Sequence, residues 1–127
     1  MPADRILLVE DVKEDRTLIK YHLTKNGLEN IVEADHGESA LELLKESNFN
    51  LIIADRYMPE MDGLTFFKKI QQDKATANIP FLMITAEHNR EKILETMKLG
   101  IRDYIIKPFD PEILVGKVKK LLGIKSA

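Results

Sequence analysis

The sequence predicts an α/β fold in which five helices cover an open, doubly wound sheet of five parallel strands. Short apolar runs of strand length alternate with segments whose apolar residues recur every three or four positions. This alternation implies right-handed crossovers between parallel strands, and five units are too few for an eight-stranded barrel. Ligands of such sheets bind beyond the carboxyl ends of the strands, which is therefore where we look for chemistry.

The five predicted strands are 6–9, 31–34, 51–54, 81–84 and 104–106. The first, third and fourth are apolar at every position, which is typical of strands covered by helices on both faces. Glu33 interrupts the second run, and this strand therefore suits a position nearer the edge of the sheet.

A helix is predicted after each strand, because apolar residues spaced three and four apart share one helix face. We expect these residues to face the core, with His22 as a partly buried imidazole and Met97 as a packing residue. The five sets are Leu18, Ile19, His22 and Leu23; Ala40, Leu43 and Leu44; Phe66, Phe67 and Ile70; Ile93, Leu94 and Met97; and Leu114, Val118, Leu121 and Leu122.

The chain has 127 residues, and we expect a single domain over 1–127. Its 19 basic and 21 acidic residues give a net charge of −2, which argues against direct binding to nucleic acid. The absence of cysteine excludes disulfides, thiolate zinc sites and cysteine nucleophiles. No apolar run is long enough to cross a bilayer, and no signal peptide is evident, so we expect a cytoplasmic protein without membrane association.

Polar side chains follow four of the five predicted strands. Glu10 and Asp11 follow the first, Asp55 the third, Thr85 the fourth and Lys107 the fifth. Because parallel strands end at the same edge of a sheet, we expect three carboxylates, a hydroxyl and an amine to converge there.

Carboxylates brought this close repel one another unless a positive charge lies among them. A set of oxygen ligands without histidine or cysteine favours Mg²⁺, with Mn²⁺ as the alternative. Taken alone, Glu10 and Asp11 also fit the start of the following helix, where acids are common. Asp55 is the more telling residue, because it ends a fully apolar run where a charge is rarely placed for packing.

A carboxylate beside Mg²⁺ can attack an activated phosphoryl donor and form an aspartyl phosphate. Asp55 is the candidate nucleophile, while Lys107 and Thr85 are candidates to bind the other phosphoryl oxygens. Proline at position 108 fixes the backbone after Lys107, which favours an ammonium group aimed inward.

Together these motifs resemble the receiver domain of bacterial two-component response regulators, which has a CheY-like fold. The resemblance covers nearly the whole chain, in order, and implies the strand order 2-1-3-4-5. It rests on Glu10-Asp11, Asp55, Met58-Pro59, Met61-Asp62-Gly63, Thr85-Ala86 and Lys107-Pro108-Phe109.

The resemblance implies that Asp55 accepts a phosphoryl group from a histidine kinase or a histidine phosphotransfer protein. Asp11 would be a direct Mg²⁺ ligand, Glu10 a ligand directly or through water, and the backbone carbonyl of Tyr57 a further ligand. Thr85 and Tyr104 would form a switch pair, in which the threonine moves toward the phosphoryl group and the aromatic ring turns inward.

The surface that responds would be formed by the fourth helix, fifth strand and fifth helix, roughly residues 90–122. It would bind a downstream protein, and the chain would be a monomer or a phosphorylation-dependent dimer. Arg56, Tyr57 and Glu87 would flank the phosphoryl group and influence its lifetime, in a direction that the sequence leaves undetermined.

Two other classes of function compete with this signalling switch, which is not expected to turn over substrates as an enzyme. A phosphatase or phosphotransferase acting on a small substrate is the alternative, but haloacid-dehalogenase-like enzymes carry a second acid where this chain has Tyr57. A flavin or nucleotide binder would need glycines and free amides after the first strand, where residues 10–15 are mostly acidic.

Overall fold

The computed structural model describes residues 4–124 as five strands and five helices that alternate along the chain. The strands are β1 (Ile6–Val9), β2 (Ile31–Ala34), β3 (Leu51–Ala54), β4 (Phe81–Thr85) and β5 (Asp103–Ile106). The helices are α1 (Lys13–Lys25), α2 (Gly37–Glu46), α3 (Gly63–Gln72), α4 (Arg90–Lys98) and α5 (Pro111–Leu121). Within residues 4–124, no helix combines the length and apolarity needed to cross a bilayer.

The strands form one parallel sheet in the order β2-β1-β3-β4-β5, which confirms the predicted architecture. The predicted bounds of β1, β2 and β3 are correct, while β4 and β5 are each one residue longer than predicted. The register pairs Val9 with Ala54 and Thr85 with Ile106. The polar residues that end these strands or follow them therefore lie side by side at one edge of the sheet.

Alternate residues of the strands enter two separate cores. On one face of the sheet, Leu7, Ile52 and Met83 belong to a cluster that includes buried residues of α2 and α3. On the other, residues such as Leu8 and Ile53 belong to a cluster that includes buried residues of α1 and α5. Burial on both faces explains why the central strands are apolar throughout.

Glu33 lies on β2, an edge strand, as its charge predicts. Its carboxylate pairs with two basic residues of α1, Arg16 at 3.1 Å and Lys20 at 3.0 Å. The charge that interrupts the apolar run is therefore accommodated at the margin of the sheet. His22 is partly buried, as expected, with its ring 6.2 Å from that of Phe109 in an edge-on arrangement.

The prediction that Leu18, Leu94 and Met97 face the core is wrong, because each is 46% exposed. In α1 the buried pair is Ile19 and Leu23, and the side chain at position 18 turns about 100° away from that of Ile19. In α4 the buried residue is Thr96, while Leu94 and Met97 turn toward solvent. Apolar spacing correctly located both helices but not the face that each one buries.

Candidate functional site

Lys107 lies at the centre of a group of carboxylates at the carboxyl edge of the sheet. Its ammonium group donates hydrogen bonds to Glu10 Oε1 at 2.5 Å, Asp15 Oδ2 at 2.7 Å and Asp55 Oδ2 at 2.8 Å. The Lys107–Pro108 peptide is cis, and the Lys107 backbone N–H donates to the carbonyl of Thr85 at 2.8 Å. The ammonium thus contacts three carboxylates. The first follows β1, the second lies in the first turn of α1, and the third follows β3.

Burial and neighbouring charges shift the pKa values of both Glu10 and Lys107. Burial raises the pKa of Glu10 to about 8; the hydrogen bond from Lys107 opposes this shift and the charge of Asp55 adds to it. Burial works against the charged form of Lys107 too, but hydrogen bonds to Asp15, Asp55 and Glu10 outweigh it and raise the lysine pKa. One ammonium does not offset these carboxylates fully, so a further positive charge would be favourable here.

Three acidic side chains are arranged in a way that suits a metal ion. Glu10, Asp11 and Asp55 each offer one carboxylate oxygen, and these oxygens lie within 4.8 Å of one another. Among the described residues, Asp11 Oδ1 is buried without a hydrogen-bond partner, which is unfavourable unless another group binds it. An all-oxygen donor set with an unpartnered carboxylate oxygen fits a hard divalent cation.

Thr85 lies on β4, which pairs with β3, and Tyr104 lies on β5, the edge strand beyond β4. Thr85 is almost fully buried, and its Oγ1 accepts a long hydrogen bond, 3.4 Å, from the backbone N–H of Glu87. The Tyr104 hydroxyl donates to the backbone carbonyl of Glu87 at 3.1 Å, so both side chains contact the segment between β4 and α4. Burial raises the pKa of Tyr104 to about 12, which keeps this hydroxyl neutral and able to donate.

Comparison with known proteins agrees with this arrangement. The family model described as the response regulator receiver domain matches residues 6–119. The chain belongs to this family. A chemotaxis protein CheY homolog of Campylobacter jejuni is 37% identical over 123 residues, which cover 96% of this chain and 95% of the relative.

Two solved structures show the same fold. A response regulator from Chloroflexus aurantiacus superposes with a TM-score of 0.89 at 30% identity, over 96% of this chain and 99% of that chain. The receiver domain of the Pseudomonas aeruginosa sensor histidine kinase PA1611, described with a magnesium ion in its active-site cleft, gives a TM-score of 0.86. It covers 96% of this chain and 99% of that chain at 24% identity.

Tyr57 and Glu87 connect the loops that follow β3 and β4 in this receiver domain. The Tyr57 hydroxyl donates to the Glu87 carboxylate, which also accepts from Asn89 N at 2.9 Å and lies 3.5 Å from Lys92 Nζ. The hydrogen bond from Tyr57, assisted by that from Asn89, lowers the pKa of Glu87 to about 2. The Tyr57 backbone N–H donates to Asp55 Oδ1 at 3.1 Å, whereas the role of its carbonyl as a metal ligand stays a prediction.

Arg56 is buried, at 6% exposure, and its side chain runs to α4 rather than into the carboxylate group. Its guanidinium donates to the carbonyl of Lys92 at 3.0 Å, to Glu95 Oε1 at 3.0 Å and to the hydroxyl of Thr96. The position of Arg56 directly after Asp55 predicts a side chain that flanks the phosphoryl group. Its observed contacts are with a helix of the surface that the resemblance implies is responsive.

Asp15 is the site residue that sequence reasoning missed. In the sequence Asp15 is only the last residue of the acidic segment 10–15. In the structure its carboxylate contacts Lys107 directly. A signal was present, because Asp15 lies in the first helical turn, four residues after Asp11. That spacing was not enough by itself, since acids are common in the first turn of any helix.

Gly63 explains why the loop after β3 can lie against the end of that strand. Its N–H donates to the carbonyl of Arg56 at 2.7 Å. A Cβ at this position would lie 2.3 Å from the carbonyl oxygen of Asp55 and 2.8 Å from Arg56 Cα, which are impossible contacts with backbone atoms. Asp62 then caps α3 by accepting from Thr65 N at 2.8 Å.

Proposed function

We propose that this chain is a single receiver domain over 1–127 in which Asp55 accepts a phosphoryl group in a Mg²⁺-dependent reaction. The donor would be a histidine kinase or a histidine phosphotransfer protein. The observation that carries the proposal is the position of Asp55, 5% exposed, beside both the Lys107 ammonium and the carboxylates of Glu10 and Asp11. Membership of the receiver family supports the same function.

In the proposed reaction, an Asp55 carboxylate oxygen attacks the phosphorus of the donor's phosphohistidine. The P–N bond breaks, an acyl phosphate forms on Asp55, and the histidine leaves with its electron pair. The Lys107 ammonium already lies 2.8 Å from Asp55 Oδ2, so it can bind an oxygen of the incoming group. The Thr85 hydroxyl, at the end of the adjacent strand, is the proposed second donor to the phosphoryl oxygens.

Glu10, Asp11, Asp55 and the Tyr57 carbonyl are the proposed ligands of the cation, with Mn²⁺ as a substitute for Mg²⁺. A bound divalent ion would offset the charge between the attacking carboxylate and the phosphoryl oxygens. The PA1611 receiver domain, which is described with a magnesium ion, is 24% identical to this chain. Identity this low indicates a shared fold alone. Support for the metal therefore rests on this chain's clustered oxygens and on the unpartnered Asp11 Oδ1.

We propose that phosphorylation is communicated through Thr85 and Tyr104 to the surface formed by α4, β5 and α5. Apolar side chains lie exposed there: Leu94 and Met97 on α4, Ile106 on β5 and Ile113 on α5. Exposed apolar groups on adjoining elements are typical of surfaces that bind proteins. A downstream protein, or a second copy in a phosphorylation-dependent dimer, is the proposed partner.

Incubation with acetyl phosphate tests the phosphoacceptor and the metal together. With Mg²⁺ or Mn²⁺ we expect the wild-type chain to gain one phosphoryl group by intact mass, and with EDTA we expect no gain. Asp55→Asn should abolish the modification. Asp35→Asn, which removes an exposed aspartate just after β2, is the matched control and should leave it unchanged.

Labelling of Asp55→Asn to the wild-type extent would refute the assigned acceptor. Labelling in EDTA at the rate seen with Mg²⁺ would refute the metal dependence. Self-phosphorylation followed by self-dephosphorylation is expected of a switch, whereas repeated hydrolysis of a small phosphate monoester would favour an enzyme. These three outcomes concern separate parts of the proposal.

A further inference from the structure

We propose that Asp15 is a positioning residue that holds the Lys107 ammonium in place during phosphoryl transfer. The inference rests on the proposed function, because it assigns a role within the same reaction. Its basis is direct contact: Asp15 Oδ2 lies 2.7 Å from Lys107 Nζ. Neither the motifs in the sequence nor the family resemblance assigns a role to this residue.

The three acceptors of the Lys107 ammonium have different positions relative to the proposed chemistry. Glu10 and Asp55 both belong to the carboxylate cluster that suits a cation, and Asp55 is the proposed acceptor. Asp15 is outside that cluster, on a helix, with its side chain 36% exposed. It is therefore the one contact of Lys107, among these three, that the reaction leaves in place.

An ammonium group has three N–H donors, and in this structure all of them point to carboxylates. If the donor that faces Asp55 is to pass to a phosphoryl oxygen, the nitrogen must stay where it is. A lysine side chain has a flexible four-carbon stem and does not hold its ammonium by itself. The Asp15 carboxylate, carried by the first turn of α1, supplies that restraint.

A general role at the start of a helix does not account for Asp15. Acidic side chains in the first turn of a helix interact favourably with the helix dipole, whichever way they point. Glu14, in the same turn, is exposed to solvent and can act in this way. Asp15 instead directs its carboxylate to a lysine that is 92 residues away in the sequence.

The neighbouring acids allow a matched test, because Asp15→Asn and Glu14→Gln remove the same charge from the same turn. We expect Asp15→Asn to slow phosphorylation by acetyl phosphate and Mg²⁺ about fivefold to tenfold, since a loosened catalytic group loses orientation. Glu14→Gln should stay within about twofold of wild type, because exposed charges contribute little. Asp15→Glu, which restores the carboxylate, should recover most of the rate.

A second measurement examines the contact without the reaction. In metal-free protein labelled with ¹⁵N on lysine, the Lys107 ammonium should give a protected signal, assigned by its loss in Lys107→Met. We expect this signal to persist in Glu14→Gln. In Asp15→Asn, exchange of its hydrogens with water should be several-fold faster.

Equal rates for Asp15→Asn and Glu14→Gln would overturn the inference, and so would a rate above wild type for Asp15→Asn. A slower reaction with an unchanged Lys107 signal would also overturn it, because Asp15 would then act by charge alone. A wild-type chain that is not phosphorylated at Asp55 would refute the proposed function instead. The Lys107 signal would still decide whether Asp15 holds the ammonium.

Discussion

Two basic side chains lie next to Asp55 in this receiver domain, and they make opposite kinds of contact. Lys107 presents one compact charge to three carboxylates that come from three parts of the chain. Arg56 presents a planar fork to three groups of a single helix, of which only Glu95 is charged. Both residues are well covered from solvent, yet only Lys107 contacts groups with a proposed role in chemistry.

The difference follows from the two cations themselves. An ammonium group can exchange partners around a point, whereas a guanidinium fixes geometry because its donors are rigidly arranged. Lys107 therefore suits the proposed reaction, in which a carboxylate is converted to an acyl phosphate and the ammonium must change partners. Arg56 suits the attachment of α4, whose described buried residue is a threonine and whose apolar residues largely face solvent. The lysine side of Asp55 thus serves the proposed chemistry, and the arginine side serves the attachment of a helix.

The largest effect is expected on the lysine side. Lys107→Met should reduce the rate of phosphorylation by at least about 100-fold, because it removes a positioned donor to a developing charge. A time course of intact mass with acetyl phosphate and Mg²⁺ measures this rate. Lys117→Met is the control, because Lys117 lies on α5 and its ammonium is 3.9 Å from the carboxylate of Asp103, which has no proposed role in the reaction. Similar rates for both variants would refute the role given to Lys107.

Substitution of Gly63 should disturb both sides at once, because a Cβ there would collide with the carbonyl oxygen of Asp55 and the Cα of Arg56. We expect Gly63→Ala to lower the free energy of unfolding by about 2–3 kcal/mol through overpacking against backbone atoms. Gly116→Ala is the matched control: a Cβ there meets nothing within 4 Å. It should raise stability by about 0.5–1 kcal/mol, because alanine favours a helix interior. Urea unfolding measures both, and equal effects would show that the close approach at Gly63 does not constrain the fold.

The smallest of these effects is expected on the arginine side. Arg56→Met should lower the free energy of unfolding by about 1–2 kcal/mol, because buried hydrogen bonds to α4 are lost. The rate of Asp55 phosphorylation should change less than about threefold, since the guanidinium does not bind the carboxylate cluster. Glu95→Gln, which alters the exposed partner alone, should change stability by less than about 0.5 kcal/mol. A phosphorylation defect as large as that of Lys107→Met would erase the distinction between the two sides.

The sequence was sufficient to predict the sheet and the convergence of Glu10, Asp11, Asp55 and Lys107, while the contact of the Thr85 hydroxyl with a phosphoryl group stays a prediction. Apolar runs define parallel strands, and strands in register bring the residues at their ends together. The local sequence pattern and the topology together fix where the strands end. The candidate site could therefore be predicted from the sequence.

The contacts of Asp15 and Arg56 could not be predicted in the same way. They depend on how each helix is rotated about its axis and on where a long side chain ends. Apolar spacing leaves that rotation open when adjacent positions are both apolar, as Leu18 and Ile19 are. The exposed face of α4 was missed for the same reason, because a threonine and not an apolar stripe is buried there.

The contact between Glu10 and Lys107 joins positions 97 residues apart, and that between Asp55 and Lys107 joins positions 52 apart. The segments that carry Glu10, Asp55 and Lys107 must therefore come together before the ammonium meets these carboxylates. A nascent chain still lacking its last strand has the acids but not the lysine that accompanies them. The ammonium therefore meets these acids only once β5 has paired with β4, so assembly of the proposed site depends on assembly of the whole sheet.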